Sequence, residues 1–153
     1  MPARPLLFGR AILRLCRLPA RERRLVIEAI GLLLLARLAL TFVSFERIGQ
    51  WASVDLGRPP PDPDERDRIR RNVRSAVTRS ARHVPWRAVC FDEGLAAQHM
   101  LRRRGIPSNL YLGVDRKPDR SLGAHVWVRD GEVDIVGGHG AERFTPLIHF
   151  PRA

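Results

Sequence analysis

The chain is short of lysine, tyrosine and cysteine. Of its 27 basic residues only Lys117 is lysine, Tyr111 is the sole tyrosine, and Cys16 and Cys90 are the only cysteines. Two distant thiols make neither a disulfide scaffold nor a cysteine-built metal site, so neither metal nor cofactor is expected and a reducing cytoplasm fits best. With one tyrosine and no alternation of aromatic and basic residues, there is no platform on which bases would stack. The net charge of +11 would otherwise invite nucleic acid. The arginines, however, are spread along the chain among acids, and their excess over lysine reads as codon composition, so nucleic acid is not an expected partner. An acidic peptide or a membrane surface suits the charge equally well. Also missing is an uninterrupted apolar run of the ~18 residues that a spanning helix needs. "LVIEAIGLLLLARLALTFVSF", residues 25–45, is broken by Glu28 and Arg37. It begins late for a secretory signal and has no small-residue cleavage pattern behind it. It reads as a helix apolar nearly all round, buried against the rest of the protein or a partner, with membrane association not favoured.

What is present suffices for one domain: 153 residues, 44% of them apolar. "GRPPPDPD", residues 57–64, excludes helix through its consecutive prolines. The chain divides accordingly into an N-terminal helical extension (1–57), a Pro-rich linker (58–64) and a core (65–153). Asp64 is the expected N-cap of a helix over 65–84 with a narrow apolar stripe of Ile69, Val73, Ala76, Val77 and Val84, its arginines forming a solvated face. A second helix follows Pro85. Asp92 and Glu93 suit the positive end of its dipole, Arg102, Arg103 and Arg104 suit its last turn, and Gly105 suits its C′ position. "SNLYLGV" alternates as a strand, "DRKPDRSL" is a loop, and "FTPLIHF" is a last short strand.

"GAHVWVRDGEVD", residues 123–134, reads as a hairpin turning on Asp130-Gly131. A two-residue loop there sets Arg129 opposite Glu132 and Trp127 opposite Asp134. His125, Trp127, Glu132 and Asp134 then share one face, with Val126, Val128, Val133 and Ile135 on the core face. An imidazole and a carboxylate lie diagonally across that first face. The segment is either an ordinary half-exposed hairpin or half of a catalytic site, and the decision rests on a nucleophile elsewhere.

Cys90 supplies one. It falls at a helix start, where free N–H groups and the dipole favour a thiolate. A cysteine nucleophile needs a base, and the base needs a third group to orient it; His125 and Asp134 offer that pair. A single buried cysteine is otherwise a small core hydrophobe. His99 shares the helix of Cys90 but lies ~13 Å along it at ~1.5 Å per residue. His83 has no carboxylate at a useful spacing, His139 and His149 sit in loop or terminal segments, and Cys16 lies in the basic amphipathic "GRAILRLCRL".

"VCFDEGLAAQHMLRRRGIPSNLYLGV" resembles the cysteine-helix segment of the transglutaminase-like superfamily, and "AHVWV" its histidine strand. The finer resemblance is to the lasso-peptide maturation proteases, carried also by "RRLVIEAIGLLLLARLAL", by Trp86 four residues before Cys90, and by "DIVGG" leading to "FTPLIHF". It spans about residues 20–150. It implies an α+β fold with a transglutaminase-like, papain-like core, in which the cysteine-bearing helix packs on a small antiparallel sheet. It implies Cys90 as nucleophile and His125 as base. Asp134 is the expected orienter, although the nine-residue gap from His125 is short for the superfamily. The implied activity is removal of the leader peptide from a ribosomal precursor through a thioester. Trp86 and Trp127 are the candidates for oxyanion or substrate contact. No short alternating strands are available for a leader-recognition domain, so a separate leader-recognition protein is expected, together with an ATP-dependent lasso cyclase. Amide cross-linking on the same triad and a non-catalytic peptide-binding scaffold are the rivals.

Overall fold

The computed structural model describes residues 17–116 and 121–151. Cys16, the basic N-terminal stretch and the centre of the "DRKPDRSL" loop lie outside the described residues.

Among the described residues four helices precede and flank an antiparallel sheet: α1 (Ala20–Phe42), α2 (Phe45–Ser53), α3 (Pro63–Ala81) and α4 (Cys90–Arg102). The strands are β1 (Asn109–Arg116), β2 (Leu122–Asp130), β3 (Val133–Val136) and β4 (Thr145–Phe150), with a 3-10 turn at Ala141–Arg143. They lie in the order β3-β2-β1-β4. The fold is α+β, with helix α4 against the sheet.

Helix α4 is the centre of the molecule. Leu95, Ala96, Ala97, Met100 and Leu101 are fully buried, between α1 and α3 on one side and the sheet on the other. Gly94 permits the close approach: a Cβ there would lie 2.7 Å from Val126 Cγ1 and 3.2 Å from Leu110 Cδ1. Buried Gln98 ties the helix to the strands, donating from Nε2 to Ser108 O (3.1 Å) and Phe150 O (2.8 Å). Gly105 follows the helix at φ +73, and a Cβ there would strike Pro59 O at 2.1 Å. The proline-rich segment therefore runs against the end of α4.

Both charges that interrupt the apolar run reach α4. Glu28 binds Arg104 (2.5 Å) and Arg103 (3.3 Å) at the C-terminal end, and Arg37 lies 3.8 Å from Asp92 at the N-terminal end. The two helices therefore run antiparallel. Val26, Ala29, Leu32, Leu33 and Ala36 are buried, whereas Ile27, Leu34, Leu35, Leu38 and Phe42 remain exposed. Helix α1 is long and apolar enough to cross a membrane, although these ion pairs and its buried face dock it on α4.

Two expectations are corrected. Helix α3 starts earlier than expected: Asp62, not Asp64, is the N-cap, its Oδ1 accepting from Glu65 N at 2.8 Å, with Pro63 in the first turn. Proline is suited to that position because its missing N–H would be unpaired there anyway. The hairpin register also differs. Asp130 pairs with Val133, so the loop residues are Gly131 and Glu132, with Gly131 at φ +59. A bulge at Val128/Arg129 then sets Val128 opposite Val136 and Arg129, not Trp127, opposite Asp134. Val133, expected in the core, is 42% exposed, while Val126, Val128 and Ile135 are buried.

The cause of the shift is Asp130. It is 2% exposed and takes hydrogen bonds from Arg66 Nε (2.7 Å), Arg66 Nη2 and Arg70 Nε (2.8 Å) of helix α3. A carboxylate held by two guanidinium groups belongs to the strand, not to a solvated turn tip. Burial alone would push its carboxyl up, but the arginine hydrogen bonds outweigh it and hold Asp130 below the usual carboxylate range.

Candidate active site

Cys90 is the first residue of α4. The start of that helix is fixed by Asp92, fully buried, whose Oδ2 accepts from Val89 N at 3.0 Å. Burial raises the Asp92 carboxyl, opposed by that hydrogen bond and by Arg37. Glu93 in the same turn is also raised by burial, with Arg82 opposing. Asp92 thus serves the helix start and leaves Cys90 half-buried beside the core, with Trp86 and Phe91. The backbone N–H of Cys90 makes no hydrogen bond among the described residues, as first-turn donors commonly do not.

His125 lies on β2 opposite Gly113. Its ring stacks 6.1 Å from Trp127 and tilts 5.0 Å from Phe144. Its Nε2 lies 2.7 Å from Gly137 O. A carbonyl only accepts, so Nε2 is the donor, and the neutral ring carries its lone pair on Nδ1. Gly137 is held for this purpose by its backbone. It has φ +71, and a Cβ there would lie 2.3 Å from Val126 O.

Asp134 does not hold His125. The bulge sets it beside Arg129, whose Nε donates to Oδ1 at 2.6 Å. That hydrogen bond to Asp134 raises the Arg129 pKa above its ordinary value. Nor does Cys90 bond to His125. Along β2 side chains alternate, and it is Val126 that lies under Gly94 of α4, whereas His125 shares the other face with Trp127 and Tyr111. The structure therefore groups His125 with Trp127, Phe144 and Gly137. It leaves Cys90, His125 and Asp134 without a hydrogen bond between any two of them.

Both candidate oxyanion donors have an unused N–H. Trp86 Nε1 and Trp127 Nε1 are buried with no acceptor. A buried donor left unpaired costs ~1–3 kcal/mol, which an acceptor on a bound substrate would offset. His139 lines the cleft beside Gly137, and the other three competing histidines are elsewhere. His99 stacks on Trp51 at 5.0 Å, and burial lowers its pKa. His83 Nδ1 faces Arg79 O at 2.7 Å, and His149 packs on Tyr111. Among the described residues no cluster of three or more His, Cys, Asp or Glu could hold a metal ion.

The sequence reading missed Gly137 and the cleft beside it. A cleft of about 550 Å³ runs between α3, the first turn of α4 and the loop after β3, lined by residues including Arg74, Thr78, Glu93, Asp134, Gly137 and Glu142. The only advance signal was the glycine pair of "DIVGG".

No curated protein and no solved structure matches the chain. The family model described as transglutaminase-like superfamily matches residues 32–149, from the second half of α1 to the penultimate residue of β4. That span takes in the cysteine helix, the histidine strand and all of the sheet but the last residue of β4, and the chain belongs to the transglutaminase-like superfamily.

Proposed function

We propose that the chain is a cysteine peptidase that removes the leader from a ribosomally made lasso-peptide precursor. The superfamily is typically one of cysteine-based peptidases and acyltransferases, and the chain's membership supports the reaction class. The observation that carries the reading is Cys90 as the first residue of a buried helix, with an unpaired backbone N–H beside its thiol. His125 takes the thiol proton, and the sulfur attacks the scissile carbonyl. The tetrahedral oxyanion is met by the Cys90 N–H and by the indole N–H of Trp86, which packs on the same core beside Cys90. Collapse expels the amine, which receives the proton from His125, and leaves a thioester. Water, deprotonated by His125, releases the leader as a carboxylate and restores the thiol.

In the resting arrangement the group that orients His125 is the Gly137 carbonyl. Asp134 takes that place only by releasing Arg129. Bringing Nδ1 of His125 to the thiol requires a movement of the histidine strand or of the α4 start on substrate binding. Catalytic hydrogen bonds are commonly completed only in the substrate complex. The proposed partners are the precursor peptide, a separate leader-recognition protein and an ATP-dependent lasso cyclase, in the cytoplasm. The test is precursor cleavage followed by mass spectrometry, with Cys90→Ala as the control; leader release by that variant at the parent rate would contradict the reading.

The absence of a bond between Cys90 and His125 favours a second reading, a non-catalytic peptide-binding scaffold. An electrophile such as iodoacetamide separates the two. A peptidase thiol is alkylated rapidly at neutral pH and is protected by precursor, whereas a core thiol reacts in neither condition.

A further inference from the structure

The arginines of α3 divide into two sets. Arg66 and Arg70 are engaged by Asp130, Arg68 by Glu65, and Arg70 also by Asp67. Arg71, Arg74 and Arg82 form no ion pair among the described residues, and all three are exposed. With Ser75, Thr78, Arg79 and His83 they line a cleft of about 420 Å³ that contains no acidic residue. Four guanidinium groups on one face of α3 and its C-cap repel one another; Arg79 has Glu22 at 3.9 Å, and Arg82 acts on Glu93 without an ion pair. This cleft shares Arg74 and Thr78 with the one bordered by Gly137, whose carbonyl holds His125, and by Glu93, three residues past Cys90. The two clefts thus adjoin through Arg74 and Thr78, and the second borders the turns that carry Gly137 and Glu93.

We propose that this arginine-lined cleft on α3 binds a carboxylate-rich stretch of the substrate peptide. The inference rests on the peptidase reading and names the substrate feature that such a site would read. The dimensions suit an extended chain. Arg71 to Arg82 spans eleven residues, or ~16 Å of helix at ~1.5 Å each, the length of about five extended residues at ~3.3 Å. Alternate side chains of a strand, ~6.6 Å apart, match guanidinium groups one helical turn apart, ~5.4 Å. Charge also selects against a nucleic acid. Past Arg74 the adjoining cleft is bordered by Glu93, Asp134 and Glu142, which repel a continuous polyphosphate but accept a peptide whose acidic stretch has ended.

The experiment uses the full chain carrying Cys90→Ala, so that binding is read without turnover. The probes are a fluorescein-labelled octapeptide with alternating glutamates and its glutamine counterpart, followed by anisotropy at low and high salt. The glutamate peptide is expected to bind at least about tenfold tighter, with the preference falling as salt rises. Adding Arg71→Gln, Arg74→Gln and Arg82→Gln should abolish the preference while moving the urea midpoint no more than ordinary surface substitutions do, since these exposed side chains form no ion pair among the described residues. Equal binding of the two peptides, or an unchanged preference in the triple variant, overturns the proposal. So does displacement of the peptide by equimolar single-stranded RNA or by phosphatidylserine vesicles. Selective binding by a chain whose unsubstituted form cleaves nothing would leave the cleft standing and refute the peptidase reading instead.

Discussion

Asp130→Asn removes the carboxylate that joins α3 to the β2-β3 hairpin through Arg66 and Arg70. Asp130 is 2% exposed, and its partners Arg66 and Arg70 are 30% and 18% exposed. An asparagine fits the same space and suits the turn, but it is neutral and offers one acceptor oxygen where three guanidinium hydrogen bonds converge. Removing one partner of a fully buried ion pair costs ~3–5 kcal/mol. Partial exposure lets both arginines recover some hydration, which lowers the expected loss to about 2–4 kcal/mol. For a domain of this size that is a fall of roughly 5–12 °C in Tm. The pH dependence follows from the direction of the shift. Asp130 is held below its unfolded value, so its contribution is present in full above about pH 4 and is lost as pH falls through the folded pKa. Urea unfolding of parent and variant at pH 7, and again at about pH 3, should therefore show a large gap that narrows in acid. A variant within ~0.5 kcal/mol of the parent at pH 7 would refute the reasoning, because that is the size expected of an ordinary surface substitution.

Asp134→Asn tests which group orients His125. Its pair with Arg129 is one-third exposed on both sides, so stability should change by less than ~1 kcal/mol. If the Gly137 carbonyl is the orienter, leader release should fall less than tenfold; a fall near 10⁴, the size seen for a triad carboxylate, would mean that Asp134 exchanges Arg129 for His125 during turnover. Gly137→Ala forces a side chain into left-handed backbone against Val126 O and should cost ~1–3 kcal/mol. It should also change the His125 nitrogen-15 spectrum, which in the parent should report a proton on Nε2; an Nδ1-protonated ring in the parent would remove Gly137 from the account.

Much of the fold was legible because periodicity records burial. The stripe of Ile69, Val73, Ala76 and Val77 is buried in α3, α4 begins at Cys90, and "SNLYLGV" and "FTPLIHF" lie in β1 and β4. The hairpin was legible as a hairpin but not in register. Asp130-Gly131 is a strong local turn signal, and nothing local reveals that Arg66 and Arg70, sixty residues away, draw the aspartate inside. The same long-range pairing hid the difference between the engaged and the free arginines of α3, which look alike in sequence. The surroundings of His125 were unreadable for another reason. Its partner is a backbone carbonyl, and a carbonyl has no sequence identity beyond the glycine that lets the chain bend there.

The central claim is that Cys90 is an acylated nucleophile. Its most direct test is intact-protein mass spectrometry of the purified chain quenched in acid during incubation with precursor peptide and the leader-recognition partner, alongside Cys90→Ala. The account predicts an adduct with the mass of the leader acyl group, located on Cys90 after digestion, released leader carboxylate in the same samples, and neither from the variant. Released leader in equal amount from Cys90→Ala, or rapid cleavage with an adduct at any other residue, would contradict it.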